Sequence, residues 1–391
     1  MVKTTDVIVV GGGVNGTCIA YHLAQRGASV TLVEKDNIAA GPTGLSCGII
    51  RQHYSHPITA RIALAALRFF ENFEDLVGGD CDFRQTGYIF AAGPDTIDTL
   101  KSNVALQQSL GINTSVISVE ELRELVPGAA VDGIVGAAYE PESGYADPYS
   151  TSVAFANRAE ELGAEVLTGT EVRSVIVEGG KARGVVTNQG RFEAASVVLA
   201  TGPWSSQLAK LFGIDLPIVP CRVQVCLFER APDLNHDKIF IDSPLGVYTR
   251  PEGEDLMLVG SVATDEAKAG IKHPDDFQRV ADFDVVSRYS EQLVERFPEM
   301  DKGSFLNGYA SLYDVTPDWQ PILDELPGIE NLYCCAGSSG HGFKLAPIVG
   351  KMMADLITRG KSDNDDINFF ALDRFARGEL VEGGYAHKLL G

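Results

Sequence analysis

The stretch Asp6-Val7-Ile8-Val9-Val10-Gly11-Gly12-Gly13-Val14-Asn15-Gly16 decides the fold. A short β-branched run reads as a strand, and Gly11, Gly13 and Gly16 stand behind it at GxGxxG spacing. An apolar pattern of helical period follows from Val14 to Arg26, closed by Gly27, and Ala28 to Glu34 alternates as a second strand. In such a βαβ unit the first glycine permits a tight turn. The second lets main chain approach a pyrophosphate, and the third lets helix pack on strand. The helix N-terminus, with Val14 and Asn15, then faces the phosphates, where free N–H groups and the helix dipole favour an anion. Glu34 ends the second strand where an acid bonds a ribose hydroxyl and disfavours a 2′-phosphate, and Lys35 joins the same candidate site. The unit predicts a bound dinucleotide and does not by itself separate NAD from FAD.

Working outward, 391 residues exceed one compact core and suit two interleaved domains. A net charge of −21 opposes phosphate backbones, so no nucleic-acid partner is expected, and an anionic substrate needs a local basic patch. Seven cysteines without regular spacing read as reduced thiols and a cytoplasmic home. No apolar stretch has the length of a membrane span, and Met1 to Thr5 shows no signal-peptide pattern.

Further helices are expected at Ile62 to Leu76, Glu120 to Leu125 with Ser118 as N-cap, Tyr149 to Leu162, and Pro347 to Thr358. Gly41 to Ile50 reads as a loop. Strands are expected at Glu165 to Thr168, at Val172 to Glu178 turning through Gly179-Gly180 into Ala182 to Thr187, and at Val197 to Ala200. The middle segment reads as strands at Arg222 to Phe228, Ile239 to Ile241, Gly246 to Thr249 and Leu256 to Val259, with helical patterning from Phe277 to Phe297 and a last strand at Leu332 to Ala336. The class is α/β: a Rossmann-type domain over 1–80, 145–217 and 313–391, interleaved with a substrate domain over 81–144 and 218–312 on a mixed, largely antiparallel sheet.

Four separated segments resemble the D-amino-acid oxidase/sarcosine oxidase superfamily of FAD-dependent oxidoreductases, nearest its sarcosine oxidase β-subunit and dimethylglycine dehydrogenase branch. They are Gly11 to Glu34, Gly41 to Arg51, Ala200 to Trp204, and the pair Thr316-Pro317-Asp318 with Gly337 to Lys344. The resemblance implies FAD. It implies that Thr43, Ser46, Gly48 and Ile49 run beside the pyrophosphate and flavin, and that Thr201, Gly202, Trp204 and the backbone of Val172 lie toward the nucleotide. It also places Gly337, Gly340, His341, Gly342 and Phe343 at the flavin's pyrimidine edge, with His341 in a structural or backbone role.

For chemistry, the resemblance implies that Arg51 and Lys344 hold a substrate carboxylate, with Tyr248 facing the substrate and Arg250 in reserve; His53 is assigned no role. The implied reaction is hydride transfer from the carbon beside nitrogen to flavin N5, giving an imine that water hydrolyses. Three positions depart from relatives. Ser311 stands at a covalent-flavin cysteine, so FAD is expected to be non-covalent there. The arginine that grips primary amino acids in some relatives falls near Ala310 and is missing, which favours a secondary or N-methylated amine. An oxygen-activating lysine of relatives falls near Leu258 and is missing, which leaves oxygen or another electron acceptor open. Asp147-Pro148 stands where the multi-subunit sarcosine oxidases carry a second flavin on a histidine, and a partner subunit or homo-oligomer stays open. The alternatives are an FAD-dependent 2-hydroxy-acid dehydrogenase, and a flavin-binding subunit or assembly factor without turnover of its own.

Overall fold

The computed structural model describes residues 3–263, 270–362, 365–381 and 383–385. The opening motif builds β1 (Lys3–Val10), α1 (Val14–Gln25) and β2 (Val30–Val33). Along β1 the side chains alternate between two cores: Val7 and Val9 pack with α1, while Ile8 and Val10 pack on the opposite face. Burial on both faces is why this strand reads as a continuous apolar run. The first sheet has the order Ile322–Glu325, Leu332–Ala336, Gly190–Leu199, β1, β2, Glu165–Leu167, parallel from Leu332–Ala336 onward. The meander Val172–Glu178 and Lys181–Thr187 is appended to it.

The second sheet has the order Ser304–Val315, Val219–Glu229, Leu256–Ser261, Val247–Glu252, Ile239–Asp242, Tyr88–Ala92, Gly136–Glu140, Ser115–Ile117. Its pairs are antiparallel except Ile239–Asp242 against Tyr88–Ala92, which is parallel. The mixed α/β class, a Rossmann-type sheet beside a largely antiparallel one, is as expected.

Several elements differ from the sequence reading. The helix expected from Phe277 covers only Phe283–Arg296. Before it, Arg222 takes the carbonyls of Gln278 and Val280 and the carboxylate of Asp282, which holds that stretch extended against the second sheet. The last long helix begins at Gly342 rather than Pro347, and the proline is absorbed in its second turn. The helix expected over Ile62 to Leu76 begins at Pro57 and breaks at Asn72 into Pro57–Glu71 and Phe73–Val77. Ser118 caps Val119–Leu125 through a full capping box with Glu121. The helix Ile97–Ser109 and the strands Tyr88–Ala92, Gly136–Glu140 and Ser304–Val315 are not in the sequence reading. The buried face of Ile97–Ser109 carries Asn103 and Gln107 beside Leu100 and Val104, which erases the apolar period. All seven cysteines are free thiols. Among the described residues no helix is long and apolar enough to cross a membrane.

Candidate active site

A cavity of about 790 Å³ opens at the C-terminal ends of the central parallel strands, where Val10, Val33 and Ala200 form its floor. The second sheet covers its far end with Val223, Val225 and Tyr248.

At the near end the main chain does the shaping. Gly11 has φ +111°, and a Cβ there would stand 2.4 Å from the Ala200 carbonyl oxygen. A Cβ on Gly16 would lie 1.9 Å from the Gly11 oxygen, so this glycine lets α1 touch the turn. Gly13 is different: it lines the cavity, and its nearest neighbour would be the Thr43 hydroxyl at 3.0 Å. That hydroxyl accepts the Val14 N–H at 3.2 Å. Asn15 donates to Ser338 Oγ at 3.2 Å, while its buried Oδ1 has no partner among the described residues. Glu34 accepts the Gly12 N–H at 2.6 Å and the Asp36 N–H at 2.8 Å, which fixes its carboxylate at the cavity wall.

Val172, Thr201, Gly202 and Trp204 line the same end. Asp275, from the loop before Phe283–Arg296, reaches across to it. Its Oδ1 takes Lys35 Nζ at 3.0 Å and Trp204 Nε1 at 2.9 Å, and Lys35 sits 4.0 Å over the Trp204 ring. Burial pushes the Asp275 carboxyl up, but these two donors outweigh it and leave it below its ordinary value.

At the far end, side chains take over. Ser46, Ile49, Phe343, Lys344, Gly340 and Gly342 line the wall with Tyr248 and Tyr313. The Tyr248 ring has room because Gly260 stands opposite on the neighbouring strand; a Cβ there would meet the ring at 2.5 Å. Lys344 lies in the first turn of Gly342–Arg359 and donates to the Gly340 carbonyl at 3.3 Å. Burial, reinforced by the Arg51 charge, pulls its pKa down to about 7.

Gly48, Gly337, His341 and Arg51 do not line the cavity and stand behind this wall, and Gly16 likewise stands behind the turn at the near end. Gly48 and Gly337 turn their loops with φ of +65° and +73°. His341 faces Tyr54, Nδ1 to Oη 3.1 Å, and burial with the Lys344 and Arg51 charges keeps it well below its ordinary pKa. Arg51 is buried, stacks 4.4 Å over the Tyr54 ring and donates to the His53 carbonyl. Arg250 stacks on Tyr145 and pairs with Glu252.

Sequence reasoning missed Asp275 and Asp314. Asp314 Oδ2 accepts the Gly337 N–H at 2.8 Å and its carbonyl accepts Ser339 N–H at 3.1 Å, which ties the glycine loop to the second sheet. Its place two residues before Thr316-Pro317-Asp318 was the available signal; Asp275 lies in a polar segment that offered none. Asp318 is structural, paired with Arg374 at 2.7 Å with both side chains buried. Asp147 caps the helix Pro148–Glu161 through the Ser150 N–H at 2.6 Å.

Comparison with known proteins agrees with this geometry. The sequence model of the DAO family, FAD dependent oxidoreductase, matches residues 6–356. The β subunit of sarcosine oxidase from Arthrobacter sp is 28% identical over 393 residues, covering 97% of this chain and 93% of the relative. Mitochondrial dimethylglycine dehydrogenase of Rattus norvegicus is 27% identical over 376 residues, covering 92% of this chain and 44% of its own length. Among solved structures, L-proline dehydrogenase from P. horikoshii superposes with a TM-score of 0.89 at 29% identity, over 97% of this chain and 100% of that one. Glycine oxidase from Bacillus cereus ATCC 14579 gives 0.80 at 26% identity, over 94% and 98%. The resemblance read from the four segments is therefore borne out. With a match that runs through both sheets and the cavity between them, the chain belongs to the DAO family of FAD-dependent oxidoreductases.

Proposed function

We propose that the protein oxidises the carbon–nitrogen bond of a small carboxylated secondary or N-methylated amine, a sarcosine-like amino acid. The observation that carries the reading is Lys344: a buried amine on the wall of a flavin-sized cavity that Tyr248 also lines, with the Arg51 charge acting on it. The relatives support the substrate class, since their names include sarcosine, dimethylglycine and L-proline.

The residues fit FAD. Gly13 leaves its cavity side bare, Asn15 presents an unpartnered Oδ1, and Glu34 is held by two main-chain N–H groups at the ribose end. Gly11, Gly13, Val14, Asn15, Glu34, Lys35, Thr43, Val172, Thr201, Gly202 and Trp204 would hold the nucleotide. Ser46, Ile49, Gly340, Gly342 and Phe343 would hold the flavin, with Gly16, Gly48, Gly337 and His341 shaping the loops from behind. Ser311 lines the cavity without a thiol, so no covalent link forms at that position. Bound FAD supplies the two-electron acceptor.

The chain's own residues do the rest. Lys344 and Arg51 favour a carboxylate at the far end, and the same positive field disfavours an ammonium on the substrate, so the amine loses its proton before oxidation. The apolar Val223 and Val225 and the Tyr248 ring exclude water from the reacting carbon. The imine product is then hydrolysed. The segments 1–80, 145–217 and 313–391 serve the cofactor, and 81–144 with 218–312 the substrate. The reduced cysteines fit a cytoplasmic home, and a partner subunit fits the likeness to a sarcosine oxidase β subunit.

The test is anaerobic bleaching of the bound flavin by sarcosine and proline analogues against 2-hydroxyglutarate, followed by reoxidation with oxygen or an artificial acceptor. Bleaching by the amines alone is the expected result. Bleaching by the hydroxy acid alone replaces the reading with a 2-hydroxy-acid dehydrogenase, and no bleaching by either leaves a non-catalytic flavin subunit.

A further inference from the structure

Glu140 ends the strand Gly136–Glu140, directly opposite Tyr88, and is completely buried. Its Oε2 accepts the Gln52 N–H at 2.9 Å and the Ser143 hydroxyl at 2.7 Å. Its Oε1 has no hydrogen-bond partner among the described residues and lies 3.9 Å from His53 Nδ1. Gln52 is the residue after Arg51, so this carboxyl is fastened to the turn that carries the buried guanidinium. An amide could accept the same two hydrogen bonds; what a carboxyl adds is charge.

The groups around it are otherwise uncharged. From its own turn comes Ser143, and from the loop after Arg51 come His53 and Tyr54. Burial, aided by Arg51, pulls His53 down to about 3, and burial pushes Tyr54 up to about 12. From the facing strand comes Tyr88 and from the C-terminal segment Tyr385, both phenols raised by burial. The helix Ile97–Ser109 contributes Gln107, which bonds the Tyr54 carbonyl at 3.0 Å. Behind the cavity wall, Arg51 and Glu140 are thus the pair whose charges matter.

We propose that Glu140 is a positioning residue: the buried counter-charge of Arg51, which sets how strongly the far end of the cavity attracts an anion. The inference rests on the reading that this end receives the substrate carboxylate. Burial pushes the Glu140 carboxyl up to about 7, against the pull of Gln52, Ser143 and Arg51. Protonated below that pH, it leaves the Arg51 field acting on the cavity; ionised above it, Glu140 opposes that field.

The test uses the holoenzyme, with acetate as probe and perturbation of the flavin absorbance as readout, so no turnover is needed. Lys344 loses its own proton in the same range and weakens anion binding in the same direction, so the measurement is made in Lys344→Met. In that variant acetate affinity is expected to fall about three- to tenfold as pH rises from 6 to 8. Adding Glu140→Gln is expected to hold the affinity at its pH 6 value. A flat profile in Lys344→Met overturns the inference without any change at Glu140, so it stands or falls even if Glu140→Gln misfolds. Arg51→Ala separates the two layers. If it leaves acetate affinity unchanged, the carboxylate reading fails; if it weakens binding while the Lys344→Met profile is flat, only the Glu140 inference fails.

Discussion

The two ends of the cavity are built from different material. The near end, which we propose for the nucleotide, is main chain: a glycine turn, a helix N-terminus and one acid held by two N–H groups. The far end, which we propose for the substrate, is side chain: Lys344, Tyr248 and, behind them, the buried Arg51 and Glu140 with their polar neighbours. A diphosphate at the near end would call for space and N–H groups. A substrate at the far end would call for particular side chains whose protonation the interior controls.

The largest expected effect separates two glycines that look alike in the motif. Gly16→Val puts side chain into the Gly11 carbonyl and should yield no folded protein. Gly13→Val should fold, with an unchanged circular dichroism spectrum, and purify colourless because the valine enters the cofactor's space. A yellow Gly13→Val protein would refute the main-chain account of that end.

Next come buried charges. Asp318→Ala strands Arg374 without its acid and should cost about 3–5 kcal/mol in urea unfolding, since both side chains are buried. Arg51→Ala should weaken carboxylate binding by about tenfold, roughly 1.4 kcal/mol, because its guanidinium acts from behind the wall, while the visible flavin spectrum keeps its shape. A parallel loss of flavin would move Arg51 from the substrate end to the cofactor.

The smallest effect belongs to the link between the ends. Asp275 and Lys35 are half and one-third exposed (50% and 35%), so solvent screens their pair. Asp275→Ala should then speed FAD release by only a few-fold, about 0.2–1 kcal/mol, with the difference shrinking in high salt. A loss of FAD as complete as in Gly13→Val would mean that this contact, rather than the glycine turn, retains the cofactor.

The legible parts of the molecule are those where a local rule and the global fold coincide. β1, α1 and β2 follow from an apolar run, a glycine spacing and a helical period, and the structure has all three. The illegible parts are those where polar groups are buried. Ile97–Ser109 hides Asn103 and Gln107 on its inner face, and Gly342–Arg359 carries Pro347 inside it, where the rule that proline opens a helix misplaces its start. The Phe277 to Phe297 pattern was helical by period, yet Arg222, about 60 positions away in the chain, took the first carbonyls.

From residues alone, then, the chain's dinucleotide turn can be read, because backbone geometry and glycine spacing are local properties of a sequence; Lys344, Arg51 and Tyr248 became site candidates through resemblance to a family. Folding alone decides that Lys344 reaches the wall while Arg51 stays behind it, that Asp275 bonds Lys35 and Trp204, and that a buried Glu140 bonds the Gln52 N–H next to the arginine. Those facts depend on which distant strands lie side by side and on how much water is excluded between them; neither is encoded within any single stretch of chain.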